Sequence, residues 1–345
     1  MTDALPESDK ADGSPHPRDV YRLLGHETAE ATFLKAVQSG RLHHAWLITG
    51  PSGVGKATLA YRMIRFLLGG RSLLSGLDIG QEDAVAGRIA AQGHGNLFVV
   101  RRPYDPKTKK IKSEIPVSEI RRLSDFFRET ASEEGRPRIG LIDKADDLNT
   151  NSENAVLKLL EEPPENGMLF LLADAPGRLL PTIRSRCQSL DLRPVPSSEI
   201  KAWLSGHADV SSDDVELAVA LSRGAPGRAL SLARSSEAVL RPLRVFSDGI
   251  ARGTRGADIV MASSLSGAKA ADNRALFWGA LQDYLASAAV ADSGGEWRLS
   301  LPEPKAGTNW SRLHSEAVAR ERLEQEINME QRASLLDFLS EIRAA

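Results

Sequence analysis

Cysteine is nearly absent from this sequence of 345 residues: Cys187 stands alone. One thiol excludes an internal disulfide and any cysteine-rich zinc site, and it fits a reducing, cytoplasmic setting. Long apolar runs are missing too, so no segment reaches the length of a membrane span. The net charge of −2 leaves no global basic excess, and contact with nucleic acid has to come from a local patch or from partner chains. There is no internal repeat, and no heptad run long enough for a coiled coil. The first residues lack apolar character. Asp3, Glu7, Asp9 and Asp12 stand among Ser, Gly and Pro, which is neither a signal nor a transit peptide, so residues 1–17 are expected to be a disordered tail.

What is present is a globular composition in a chain long enough for two or three domains. Helical spacing runs from Val20 through Leu23, Leu24, Phe33, Leu34 and Val37, and Gly40 is placed to stop that helix. His43-His-Ala-Trp-Leu-Ile-Thr49 reads as a buried strand leading into a Gly-rich loop, and Leu59, Met63, Phe66 and Leu67 continue as a one-sided helix. Further strands are expected at 96–101, at Ile139–Asp143 and at Met168–Ala173. Helices are expected at Val117–Glu129, capped by Ser118, and at Ser152–Glu162. Strand and helix alternate, so the fold class is α/β, with a parallel sheet covered on both faces. Residues 69–95 give no clear pattern. Past Pro194 and Pro196 everything reads as helix. The expected domains are the tail, a P-loop core over 18–194, a small helical lid over 195–240, and an all-α region over 241–345.

The chemistry is concentrated in four places. Gly50-Pro-Ser-Gly-Val-Gly-Lys-Ala-Thr58 has Gly50, Gly53, Gly55 and Lys56 where a phosphate-binding loop needs them. Such loops work because backbone N–H groups and the following helix N-terminus point at phosphate oxygens. The next position should carry a hydroxyl for magnesium, and it is Ala57; Thr58 lies one residue on, turned about 100° away along a helix. The alternative is a tight turn that merely joins strand to helix. Leu141-Ile-Asp143-Lys144 has the acid that holds magnesium at a strand end, followed by Lys where a water-orienting Glu is needed; an ammonium is no base at neutral pH. The alternative for Asp143 is a cap on the next element. Arg186, in Ser185-Arg186-Cys187, is either a surface arginine or a cation that stabilises a transferring phosphoryl group on a neighbouring subunit. The turn bearing Lys107, Lys109, Lys110 and Lys112 is either a solvated face or a phosphate contact. His43 and His44, adjacent on a strand, are expected to point to opposite faces and to be structural.

Four ordered motifs, 43–50, Gly50–Thr58, Asn154–Pro164 and Leu179–Cys187, together resemble the subunits of the bacterial DNA polymerase III clamp loader, which belong to the AAA+ class. The likeness covers about 18–235, and more loosely the C-terminal helices, including Ile327–Glu330. It implies an AAA+ core, a helical lid and a helical collar that builds a hetero-pentameric ring with gamma/tau-like and delta-like subunits. The ring opens a sliding clamp and places it on primed DNA. It also implies that Arg186 is a trans-acting arginine finger, that Arg228 is the lid's sensor arginine, and that Ala173 falls at a polar sensor position. With Ala57, Lys144 and Ala173 in place of catalytic groups, the resemblance is to the branch whose members are poor or inactive ATPases. ATP or ADP in a degenerate site formed by Gly50, Gly53, Gly55, Lys56, Thr58, Asp143 and Arg228 is then the only cofactor expected. Zinc is not expected, because the family's four-cysteine module has no counterpart over 70–95. The rival readings are a working gamma/tau-like ATPase and a purely structural ring subunit.

Overall fold

The computed structural model describes residues 7–10, 14–72, 76–108, 110–129, 135–206, 210–252, 257–267, 270–304, 307–326 and 331–344. Two compact units divide the chain, Met1–Val195 and Pro196–Ala345.

In the first unit the strands are β1 (Ala45–Thr49), β2 (Leu97–Val100), β3 (Tyr104–Asp105), β4 (Lys110–Ile111), β5 (Arg138–Ile142), β6 (Gly167–Ala173) and β7 (Gln188–Asp191). Five of them form one parallel sheet in the order β2-β5-β6-β1-β7. β3 and β4 make a small antiparallel hairpin, with Tyr104 opposite Ile111 and Asp105 opposite Lys110. The helices are α1 (Glu27–Gln38), α2 (Lys56–Leu67), α3 (Ala84–Ala90), α4 (Val117–Arg128), α5 (Thr150–Glu161) and α6 (Pro181–Ser185).

Strand alternation divides the core in two. Trp46 and Ile48 of β1 face a cluster that contains Phe33 of α1, Leu59 and Met63 of α2, and Ile89 of α3. Ala45 and Leu47 face the opposite cluster, with Ile120 and Leu123 of α4, Val156 and Leu160 of α5, and Ile183 of α6. A sheet buried on both faces can be apolar along its whole length, and every residue of β1 and β5 is buried. The expected α/β core is therefore present.

Four expectations need correction. The helix foreseen from Val20 begins only at Glu27, because Gly25 and His26 adopt left-handed backbone (φ 69° and 70°) and break the run. Its stop at Gly40 is as expected: φ is 66°, and the Gly40 N–H reaches the Val37 carbonyl. The expected cap at Ser118 is displaced, since α4 starts at Val117 after Pro116. The segment 1–17 is no solvated tail where it is described. Asp9 and His16 are buried, Asp9 takes a forked ion pair from Arg101, and Glu7 takes one from Arg18. Finally, the rings of His43 and His44 stack 4.4 Å apart instead of diverging, because both precede β1. Their nitrogens still meet only backbone, at Ala45 and Leu160, so the structural reading of the pair is kept.

The second unit is helical: α7 (Ser197–Ser205), α8 (Ser212–Ser222), α9 (Pro226–Arg234), a π-helical turn (Ser236–Leu240), α10 (Arg241–Arg252), α11 (Ala257–Ser264), α12 (Ala271–Asp292), α13 (Trp310–Glu326) and α14 (Gln331–Ala344). α12 is buried on several sides through Phe277, Trp278, Leu281, Tyr284 and Leu285. It packs against α8 and the π-turn as well as α10 and α13, so the segments assigned to lid and collar share one core. Ile327–Glu330, quoted for the C-terminal resemblance, lies outside the described residues, as does Lys109.

Candidate functional site

Sheet order builds the site. β1, β6 and β5 are neighbours, spaced about 4.8 Å apart, so whatever follows their C-terminal ends converges. After β1 comes the Gly50–Lys56 loop, after β6 comes Asp174, and after β5 come Asp143 and Lys144.

The loop has the backbone of a phosphate cradle. Gly50, Gly53 and Gly55 carry φ values of 140°, 78° and 117°, which side chains disfavour. A Cβ on Gly50 would stand 2.4 Å from the Leu192 carbonyl oxygen, and one on Gly55 would stand 2.8 Å from Leu23 Cδ1. His26 sits on the same loop, its Nε2 3.0 Å from the Val54 oxygen. α2 starts at Lys56, so its free N–H groups open onto the loop. Ala57 packs partly against the apolar cluster beneath, and Thr58 is half-buried in the first turn of α2.

Lys56 is fully paired within the chain. An ammonium has three protons to donate, and all three are taken within the chain. Its Nζ donates to the Gly50 oxygen at 2.8 Å, to the Pro51 oxygen at 3.0 Å and to Asp174 Oδ1, and the residue is buried. Asp174 is held in turn. Its N–H donates to Asp146 Oδ1 at 3.1 Å, and its second carboxylate oxygen lies 3.7 Å from Lys144 Nζ. Ala173, the expected sensor position, is buried at the end of β6 in register with Thr49, and the polar group that reaches the site is its neighbour Asp174. Asp174 was not foreseen. The available signal was a carboxylate directly after an apolar strand, the same pattern that marked Asp143. Asp146, on the short turn after Asp143, reaches the site through the Asp174 backbone.

Asp143 follows β5, its N–H bonded to the Val100 oxygen at 2.9 Å. Burial raises its carboxyl to about 7. The Asp9 and Asp174 carboxylates push the same way, against Lys144 and Lys56. Lys144 has left-handed backbone (φ 56°) and starts the short turn Ala145–Asp147. These residues do not fit a magnesium-bound nucleotide. The hydroxyl position is Ala57, the base position is an ammonium, the loop lysine is saturated, and a carboxylate occupies its third proton.

Two arginines remain, one in each unit. Arg186 directly follows α6 and is about two-fifths exposed. Its Nη2 is 2.9 Å from Glu161 Oε1, at the end of α5, and its Nη1 donates to the Thr182 oxygen at 3.1 Å. Arg228, in the second unit, pairs with Asp283 of α12, which also takes Arg223 Nε at 2.5 Å. Cys187 is no nucleophile, since burial pushes its thiol up to about 12.

Among the described residues one set of metal-ligating groups converges: Glu7, Asp9 and His16. Arg18 and Arg101 already neutralise both carboxylates. In the β3–β4 hairpin, Tyr104 and Ile111 share one face and are partly buried, while Lys107, Lys110 and Lys112 are exposed. Both readings of the turn, a solvated face and a phosphate contact, require that exposure.

Residues 25–196 match the family model described as DNA polymerase III, delta subunit. The chain is 35% identical over 185 residues to the DNA polymerase III subunit delta' of Pseudomonas aeruginosa, covering 53% of each protein. It is 34% identical over 197 residues to the Escherichia coli subunit of that name, covering 56% of each. Against the gamma/tau subunit of Mycobacterium tuberculosis it is 30% identical over 190 residues, covering 54% of this chain and 31% of that one. The matched segment thus spans about half the length of the two delta' relatives. A solved gamma subunit-related protein of Thermotoga maritima overlays with a TM-score of 0.45 and 16% identity, covering 91% of this chain and 99% of that one.

Proposed function

We propose, from the match of residues 25–196 to the DNA polymerase III delta-subunit model, that the chain acts as a delta-prime-like subunit of the clamp loader. It does not turn over ATP itself. It lends Arg186 to the ATP site of a gamma/tau-like neighbour in a hetero-pentamer that also holds a delta-like subunit. The sliding clamp and primed DNA are reached through that assembly, in the cytoplasm. Among the described residues no helix is long and apolar enough to cross a membrane.

One observation carries this reading. The positive charge that a working ATPase would aim at its own phosphates, Lys56, is spent inside the chain, whereas Arg186 is accessible and held only by an exposed carboxylate and one backbone oxygen. A partly exposed guanidinium at the end of a short helix, between β6 and β7, is suited to reach a phosphate on another subunit, where developing charge is stabilised by a fixed cation. A gamma/tau-like role needs Lys56, a magnesium hydroxyl and a base together, and Ala57 and Lys144 supply neither of the last two. Arg228 does not serve as a nucleotide sensor in this reading, since Asp283 holds it within the second unit. The test is Arg186→Ala in the assembled complex, which should slow hydrolysis at the neighbouring site and leave assembly intact.

A further inference from the structure

We infer that Asp174 is the anion around which the Gly50–Lys56 loop is built: it stands where a phosphate would stand on Lys56, and it decides that the loop rejects nucleoside polyphosphates. This goes beyond the loss of hydrolysis. Ala57 and Lys144 explain why catalysis fails, since they remove the magnesium ligand and the base, but neither removes the cradle that binds phosphate. Gly50, Gly53 and Gly55 keep the required backbone, and α2 still presents its N-terminus. A loop in that condition should bind nucleotide and fail only to cleave it.

What closes it is Asp174. Its carboxylate takes one proton of the Lys56 ammonium while the Gly50 and Pro51 oxygens take the other two, so the lysine is fully satisfied. Asp174 is tied in at two further points. Its own N–H is fixed by Asp146 Oδ1, and Lys144 approaches its other oxygen. Lys144, the residue that replaces the base, therefore has a structural task, since it helps to balance the internal anion. A phosphate would have to displace a carboxylate from Lys56 and then remain beside it. Like charges within a few ångströms repel strongly in a partly desolvated site.

The inference rests on the reading that this chain's own nucleotide site is out of use, and one set of measurements separates the two. ADP binding without magnesium is measured by calorimetric titration on the full chain, as wild type, Asp174→Asn, Asp174→Ser and the double variant Lys56→Ala/Asp174→Asn, with ATP turnover of the wild type in parallel. Asp174→Asn keeps the shape and removes the charge. It should tighten ADP binding by at least about tenfold, the modest end of what relief of such repulsion gives. Asp174→Ser should do the same, and the added Lys56→Ala should abolish the gain. Folded Asp174→Asn and Asp174→Ser proteins that bind ADP no better than wild type would overturn the assignment while leaving the inactive-site reading intact. Tight ADP binding by the wild type would overturn it whatever the variants do. ATP turnover by the wild type would instead overturn the inactive-site reading itself.

Discussion

Asp143→Asn should stabilise the protein above neutral pH and leave its stability in acid unchanged. The carboxyl lies at the end of β5, with its pKa raised from 3.8 to about 7, first by burial and then by the carboxylates of Asp9 and Asp174. Between those two values the native chain holds a proton that the unfolded chain has released. Stability therefore falls as pH rises from about 4 to about 7 and stays low above that. At about 1.4 kcal/mol per unit, a shift of about three units comes to roughly 4 kcal/mol as an upper limit. Asp143 keeps partial access to solvent, which screens the charge, so about 2 kcal/mol is expected. Asparagine has the same shape and cannot ionise. Urea unfolding of both proteins at pH 4 and pH 8 isolates this residue, because all other titrating groups are shared. Relative to the variant, the wild type should lose about 2 kcal/mol between the two conditions. An equal gap at both pH values would mean that folding leaves this carboxyl unshifted, and a variant that loses ground to the wild type at pH 8 would mean that the native state relies on an ionised Asp143; either result would refute the reasoning.

Two further substitutions probe the loop and the finger. Gly50→Ala places a methyl group against the Leu192 oxygen at a backbone angle that alanine disfavours, and it should cost about 2–4 kcal/mol in urea unfolding; a neutral result would mean that the loop relaxes freely. Glu161→Gln removes the carboxylate that competes for Arg186, and single-turnover hydrolysis by the assembled complex should rise about two- to fivefold, the range that an exposed ion pair supports; a fall would mean that Glu161 aims the arginine instead of restraining it.

Much of this was legible in the sequence where local chemistry and local geometry coincide. The glycines of the loop, the helix after it and the apolar run of β1 each depend on a few consecutive residues, and they stand as read. Asp143 was found because it follows an apolar strand directly. Asp174 follows one too, but its importance depends on β6 lying beside β1, and strand order is set by crossovers that periodicity does not reveal. Asp9 looked like part of a solvated tail because its partner Arg101 is remote in sequence, and His16 is buried with it through their own contact. The break at Gly25 and His26 interrupts apolar spacing that continues on both sides, so a spacing argument runs across it. Arg186 was singled out by motif and is indeed accessible, but its pairing with Glu161 joins the ends of two helices and could not be read from either.

The central claim is that this chain contributes a cation to another subunit's ATP and none to its own. The direct test is single-turnover ATP hydrolysis at the neighbouring subunit in a complex assembled with Arg186→Ala, with assembly checked by sedimentation. The account predicts an intact complex in which hydrolysis at that site slows by at least about a hundredfold, short of the full effect known for arginine fingers. Unchanged hydrolysis in an intact complex would contradict it and leave the chain a structural member of the ring.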